Sequence, residues 1–259
     1  GIDAEIEHGD SILKDQFEGL EADRIVTNPP FNLDEWGQNK IDPESDRFNY
    51  GIPTENGNFG FIQHMLHHLD EEGVAGTVMS NGAFSNKGTD GEIRKRIIED
   101  DLVDVVIDLP PNLFYSTTIP ASIWLLAKGK DSDEYRDREG ETLFIDAQQV
   151  YEKVSNTHNT LNESNLTKII ETVRAYRGQS DSGPYKNIKG FCFRAKLDDI
   201  RSNGHVLTPG AYVGTDSVYR AEDFHERMEE LTSKLENQFD QSDNRREHLM
   251  EALTEVDTE

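Results

Sequence analysis

The 259-residue sequence predicts an α/β fold built on a largely parallel, doubly wound sheet. Short apolar runs alternate with segments of helical period along the first 150 residues. Two of those runs end at paired prolines, Pro29-Pro30 and Pro110-Pro111, which cannot donate to a sheet ladder and so close a strand. Hydrophobic residues make up 34% of the chain, enough for one large domain or one domain with an appendage. No run approaches the ~18 apolar residues of a membrane span.

The first strand is "DRIVTN", residues 23–28, read as a buried strand. "FGFIQHMLHHLDEEG" (59–73) follows with Phe59, Ile62, Met65, Leu66 and Leu69 at helical spacing, and Gly73 is expected to stop that helix. "VAGTVMS" (74–80) is the second strand. "GEIRKRIIEDD" (91–101) is a short helix with Ile93, Ile97 and Ile98 on its apolar side. "LVDVVIDLP" (102–110), "ASIWLLAKG" (121–129) and "TLFIDA" (142–147) are the third to fifth strands. Only "PPNLFYSTTIP" joins the third and fourth. That is too short for a parallel crossover, so this pair is expected to be antiparallel.

Beyond residue 150 the texture changes. "LTKIIETVRAY" (166–176) reads as a helix, "SDSGPYKN" (180–187) as a turn-rich linker, and "FCFRAKLDDIRSNGHVLTPGAYV" (191–213) as a compact, irregular segment. Phe224, Met228, Leu231, Leu235 and Phe239, then Leu249, Leu253 and Val256, place a narrow apolar stripe on a long charged helix. Such a stripe suits a partner chain. The expected division is 1–150, 151–220 and an amphipathic tail over 221–259.

The chain carries 51 acidic and 26 basic residues, a net charge of −25, spread from Asp3 to Glu259. Molar salt shortens the Debye length to ~3 Å, so this composition reads as adaptation to a salty interior; an ordinary acidic protein is the plainer alternative. Either way the chain is a poor autonomous binder of nucleic acid, since its best basic cluster is Arg94-Lys95-Arg96. The single Cys192 excludes an internal disulfide and fits a reducing cytoplasm. The first residue is Gly1 rather than Met, which points to the later part of a longer protein.

"TNPPF" (27–31) is the most informative stretch. Its stiff loop sits at the carboxyl end of a strand, where open α/β sheets bind ligands. An exocyclic amine on a nucleobase is a poor nucleophile because its lone pair is delocalised into the ring. The Asn28 side-chain oxygen and the Pro29 carbonyl can accept its two N–H bonds and localise that pair. Phe31 offers a face for stacking, worth about 1–3 kcal/mol. The loop therefore suits methylation of an amino group and needs no general base.

"TNPPF" resembles the catalytic motif of S-adenosylmethionine-dependent amino-methyltransferases. "HGDSIL" (8–13), "RFNYGIPTENGNFGFIQHMLHHLDEEG" (47–73), "GEIRKRIIEDD", "VIDLPPNLFYSTTIPASIWLLAKGK" (106–130), "LFIDAQ" and "LTPGAYV" resemble, in order, the modification subunit of type I restriction-modification systems. The resemblance implies N6-methylation of adenine in double-stranded DNA, with the base flipped out of the helix. It implies S-adenosyl-L-methionine as cofactor, a specificity subunit that reads the DNA, and possible association with a restriction nuclease subunit. Asn28, Pro29, Pro30 and Phe31 match the catalytic loop. Asp10 matches a position near the cofactor's adenine, although Asp also favours turns. The loop 80–91 stands at the same sheet edge and reads either as a cover for the base or the cofactor or as an ordinary connection, and 109–120 is a candidate to flank the target pocket in the same way.

The family's glycine-rich cofactor loop and its ribose-holding acid are expected upstream of Asp10 and are not in this chain. The implied fold is thus a partial Rossmann-like methyltransferase sheet, its amino-terminal strands missing, with a carboxyl-terminal helical extension. The "DRIVTN" strand would be left as an open edge, and the chain alone is expected to bind cofactor weakly. A catalytically incomplete fragment that binds a specificity subunit is the non-enzymatic alternative. RNA guanine-N2 or protein glutamine methylation are alternatives with the same chemistry. His64, His67 and His68 share one helix, but no Cys, Asp or Glu joins them at ligand spacing in the sequence, so they read as a polar face and no metal is expected. "GTDG" lacks the spacing of a calcium loop, and Ser116-Thr117-Thr118 has no histidine at a recognisable distance.

Overall fold

The computed structural model describes residues 3–115, 117–131 and 135–214. The tail predicted over 221–259 lies outside the described residues. Strand β1 (Ala22–Thr27) leads through the proline loop to helix α1 (Asn58–His68), which passes directly into β2 (Leu69–Ser80). Helix α2 (Gly88–Glu99), then β3 (Val103–Asp108), β4 (Ala121–Ala127) and β5 (Glu141–Asp146) follow. A small hairpin, β6 (Glu152–Lys153) and β7 (Asn159–Thr160), precedes α3 (Glu163–Arg177). Strand β8 (Cys192–Lys196) and short helices α4 (Leu197–Ser202) and α5 (Gly210–Val213) complete the described chain.

Six strands form one sheet in the order β1-β2-β4-β3-β5-β8. β1 runs parallel to β2, and β3 parallel to β5, whereas β4 lies antiparallel to both β2 and β3, as its short connection predicts. β8 is antiparallel to β5. Four strands therefore share a direction and two oppose it, so the sheet is mixed rather than largely parallel. The carboxyl ends of β1, β2, β3 and β5 all fall at one edge.

Side chains alternate between faces, as the pleat requires. Val106, Trp124, Leu126 and Phe144 face the layer built by α1 and α2. Val105, Ile107, Leu143 and Ile145 face α3. Trp124 anchors the first layer, with Phe84 stacked on it at 6.1 Å and Phe59 edge-on at 6.2 Å. Ile93, Ile97 and Ile98 of α2 are buried there, as their spacing predicts. α3 begins at Asn162, whose side chain accepts from Asn165 N–H, and ends at Gly178 in the left-handed region (φ 72°).

Three expectations change. Gly73 does not stop α1. The helix ends at His68, and Gly73 sits where the register between β1 and β2 shifts. A Cβ there would lie 2.8 Å from Leu69 Cδ1 and 2.9 Å from Ala22 O, so the strands can close only over glycine. The 191–213 segment is less irregular than expected, because Cys192–Lys196 pairs with β5 from Glu141 to Ile145. And β1 is not buried. It lies at the sheet edge, as the missing neighbour strand implies, with Val26 90% exposed.

A charged cluster ties the α3 layer to the sheet. Asp104 of β3 is fully buried and accepts from Arg138 Nε (3.1 Å) and from Arg177 Nη2 (2.8 Å) and Nε (3.2 Å). Lys130, also buried, donates to Val103 O, Glu141 O and Asp101 Oδ1.

Candidate functional site

The proline loop leaves the open end of β1. Asn28 and Pro30 are exposed, Pro29 is buried, and Phe31 is half-buried against the α3-side core cluster. Asn28 thus stands in solvent while the residues on either side of it are held. Its side-chain amide has no hydrogen-bond partner among the described residues.

What holds the loop is a ring of amides and a hydroxyl. Asn32 takes a positive φ of 50°, which turns the chain back toward α1. Its backbone N–H donates to Asn58 Oδ1 (3.0 Å), and Asn58 Nδ2 donates to Asn32 Oδ1 (2.9 Å). Ser80 Oγ, at the end of β2, donates to the same Asn32 oxygen (2.8 Å). Gly57 N–H donates to Leu33 O (3.0 Å). The ends of β1 and β2 and the start of α1 are therefore locked together. Asn58 is almost fully buried, and Asn58→Ala removes both of its hydrogen bonds to Asn32, which should cost about 0.5–1.5 kcal/mol for each bond. Faster amide hydrogen exchange over residues 28–33 in the variant is the expected reading; unchanged exchange would show that the ring does not hold the loop.

A second knot lies further along the edge. Asp108, at the end of β3, accepts from Asn81 Nδ2 (2.7 Å) and Gln148 Nε2 (2.6 Å). Burial pushes its carboxyl above the ordinary range, against the pull of the two amides. The 80–91 segment is consequently a packed connection, with Ala83 and Phe84 buried. The loop after β3 is the more open one. Asn159 fastens the β6–β7 hairpin to it through Pro111 O (2.8 Å) and Asn112 O (3.0 Å). Tyr115, 90% exposed, stacks on His158 with ring centres 4.0 Å apart. A cleft of about 620 Å³ opens beside them, lined by Asn112, Thr117, Thr118 and Ser155 among others.

Asp10 stands apart from these groups in its bonding. Its Oδ1 accepts from the N–H groups of Ile12 (3.1 Å) and Leu13 (3.0 Å), which makes it the cap of a turn. Asn32, Asn58, Ser80 and Asn81 were not singled out from the sequence. Only Asn58 and Ser80 have a visible signal, a helix start and a strand end.

One premise of the expectation for the histidines changes, because an acid does meet them in the fold. Asp15, 49 residues upstream of His64, brings a carboxylate to them. Its Oδ2 lies 2.8 Å from His68 Nε2, and ligand atoms of Asp15, His64 and His68 all lie within 4.8 Å of one another.

The family model for N-6 DNA Methylase matches residues 1–221. The methylase subunit of the type I restriction enzyme MjaIX from Methanocaldococcus jannaschii is 36% identical over 259 residues, covering 98% of this chain and 46% of that protein. The HindI methylase subunit of Haemophilus influenzae is 37% identical over 238 residues, covering 91% of this chain and 52% of that protein. The crystal structure of a type I restriction-modification methyltransferase subunit from Streptococcus thermophilus is similar at a TM-score of 0.67 and 25% identity, over 79% of this chain and 41% of that one. The chain spans about half the length of the relatives it matches.

Proposed function

The chain belongs to the N-6 DNA methylase family, and from that premise we propose that it carries the target-base half of a type I modification subunit. In this reading the complete subunit transfers a methyl group from S-adenosyl-L-methionine to N6 of an adenine flipped out of double-stranded DNA. One observation carries it: a rigidly backed loop holds the Asn28 amide free in solvent at the carboxyl edge of the sheet.

The chemistry follows from the groups present. Asn28 Oδ1 and the Pro29 carbonyl accept the two N–H bonds of the adenine amine. The nitrogen pyramidalises, and its lone pair turns toward the methyl donor. Phe31 stacks on the ring, and the side chains beneath keep it from retreating. The cofactor, when bound, supplies the electrophilic methyl. Asp10 Oδ1 keeps the turn, and its Oδ2 would accept from the amino group of the cofactor's adenine. Pro29 and Pro30 hold the loop stiff, so that little ordering remains to be done when the base arrives.

Partners follow from charge. A chain at −25 repels phosphate, so a specificity subunit supplies most DNA contacts, and a nuclease subunit joins the same assembly. Residues 151–214 buttress the sheet, and the amphipathic sequence pattern over 221–259 suits contact with the other subunits. Among the described residues no helix is long and apolar enough to cross a membrane. We take the cytoplasm as the compartment, supported by the one unpaired cysteine.

Two expected results test this reading. With 2-aminopurine in place of the target adenine, the complete subunit and its specificity partner should raise the probe's fluorescence as the base leaves the stack. Phe31→Ala should weaken binding of the flipped base by about 1–3 kcal/mol, seen as a lower affinity for that DNA. No fluorescence change in the wild-type complex would contradict the reading. Salt adaptation makes a separate demand: thermal unfolding should move to higher temperature between roughly 0.2 and 2 M KCl, as the surface charge is screened. An unchanged or lower Tm would mark the acidity as ordinary.

A further inference from the structure

We propose that Asp15, His64 and His68 form a binding site for one divalent transition-metal ion, Zn²⁺ by the chemistry of its donors. His64 and His68 stand four apart on α1, on one face of the helix. Asp15 comes from the turn that follows Asp10. The three donor atoms lie within 4.8 Å of one another. The Asp15 and His68 side chains are more than nine-tenths buried.

The bonding of His68 is the strongest sign. Its Nδ1 lies 2.9 Å from Leu20 O, and its Nε2 lies 2.8 Å from Asp15 Oδ2. Both neighbours can only accept. A neutral imidazole has a single N–H, so one nitrogen would confront an oxygen lone pair with its own. Either a second proton or a cation must sit at Nε2. The carbonyl on Nδ1 is the partner that metal-bound histidines ordinarily have on their other nitrogen, where it fixes the tautomer and turns Nε2 toward the metal. Asp15 is prepared in the same way. Burial alone would raise its pKa, but the Phe17 N–H and the two histidines outweigh that and hold it below the ordinary range. Phe17 N–H binds Oδ1 (2.9 Å) and leaves Oδ2 for the cation. His64 stands one turn before His68 with the two rings edge to face, 4.8 Å between centres, so its ring reaches the same point.

A metal ion at Nε2 takes the place of the direct contact between His68 and Asp15. Zinc bonds of about 2.0–2.1 Å place ligand atoms about 3.3 Å apart. The Asp15–His68 pair must open by about half an ångström and His64 must close in, both within reach of side-chain rotation. Arg47, whose Nη1 lies 3.4 Å from His64 Nδ1 and 3.2 Å from Ser11 O, gives up its long contact to His64. Two imidazoles and a carboxylate suit late first-row cations and not Mg²⁺ or Ca²⁺, which take oxygen ligands. A cavity of about 240 Å³, lined by Ser11, Gln16, Phe17 and Ile25 together with the three ligands, leaves room for a water as fourth ligand. The ion would clamp the turn that bears Asp10 onto the helix that holds the proline loop. The site itself does not depend on the methyltransferase reading.

The test is a metal titration of the complete protein after chelator treatment. Co²⁺ should bind at one equivalent with a visible d–d absorption band, and Zn²⁺ should displace it and raise Tm. His64→Ala should weaken binding by more than the roughly 10- to 100-fold that follows loss of a ligand's outer hydrogen-bond partner. Asp15→Asn, which keeps an oxygen for Phe17 N–H, should weaken it as well and serves if His64→Ala does not fold. His67→Ala should bind as the wild type does. Absence of saturable binding to the wild type, wild-type affinity in both ligand variants, or equal loss in His67→Ala would overturn the assignment.

Discussion

Asn28→Ala in the complete subunit should lower the rate of methyl transfer by about 10²–10³-fold, the loss that follows removal of one preorganised polar group at a reacting centre. The side chain is exposed and bonded to no described residue, so the variant should unfold at the wild-type temperature. Its amide is also the only part of the loop that alanine removes. The Pro29 carbonyl, the Phe31 face and the Asn32–Asn58–Ser80 ring all stay in place. Affinity for cofactor and for the specificity subunit should therefore be unchanged, and the defect should appear in the rate at saturation rather than in KM. A variant that loses partner binding and methylation together would show that Asn28 is a structural residue.

The second large effect is on stability. Asp104→Ala should cost about 3–5 kcal/mol, because it leaves the Arg138 and Arg177 guanidiniums in the interior with no carboxylate between them. At the roughly 2–4 °C per kcal/mol of a domain this size, thermal unfolding should fall by about 6–20 °C. The same group shapes the acid limb of stability. Burial alone would raise the Asp104 pKa, but Arg177, then Arg138 and Lys130, outweigh it and hold it below the ordinary range. A carboxyl lower in the folded than in the unfolded chain stabilises the fold fully above the unfolded value of about 3.9, and the benefit is lost as pH falls through the folded value. Asp104→Asn should remove that part of the acid dependence. An Asp104→Ala variant that melts within a degree of the wild type would show that the cluster contributes nothing net.

Much of the fold was legible because its signals are local. The near-continuous apolar runs of β3, β4 and β5, the triad of isoleucines on α2 and the short link that forces β3 against β4 are all properties of short stretches. The proline loop was legible for the same reason, since two prolines end a strand wherever they occur. What escaped was non-local. The 48 residues between Asp15 and His64 hide a carboxylate that meets the histidines only once α1 has packed. The ring that backs the proline loop joins residues 32, 58 and 80, none of which has a strong motif of its own. Gly73 misled because glycine ends helices and also lets strands approach, and the Ala22 backbone 2.9 Å from its missing Cβ decides between the two. The exposure of β1 depends on what pairs beside it, which no pattern within "DRIVTN" encodes.

The most direct measurement is the identity of the methylated product. DNA bearing the recognition site would be incubated with S-adenosyl-L-methionine, the complete subunit and its specificity partner, then digested to nucleosides and resolved by mass spectrometry. The account predicts N6-methyladenine, reduced about 10²–10³-fold by Asn28→Ala. Methyl groups on cytosine, on RNA guanine or on a protein amide, or N6-methyladenine formed as fast by the Asn28→Ala variant, would contradict it.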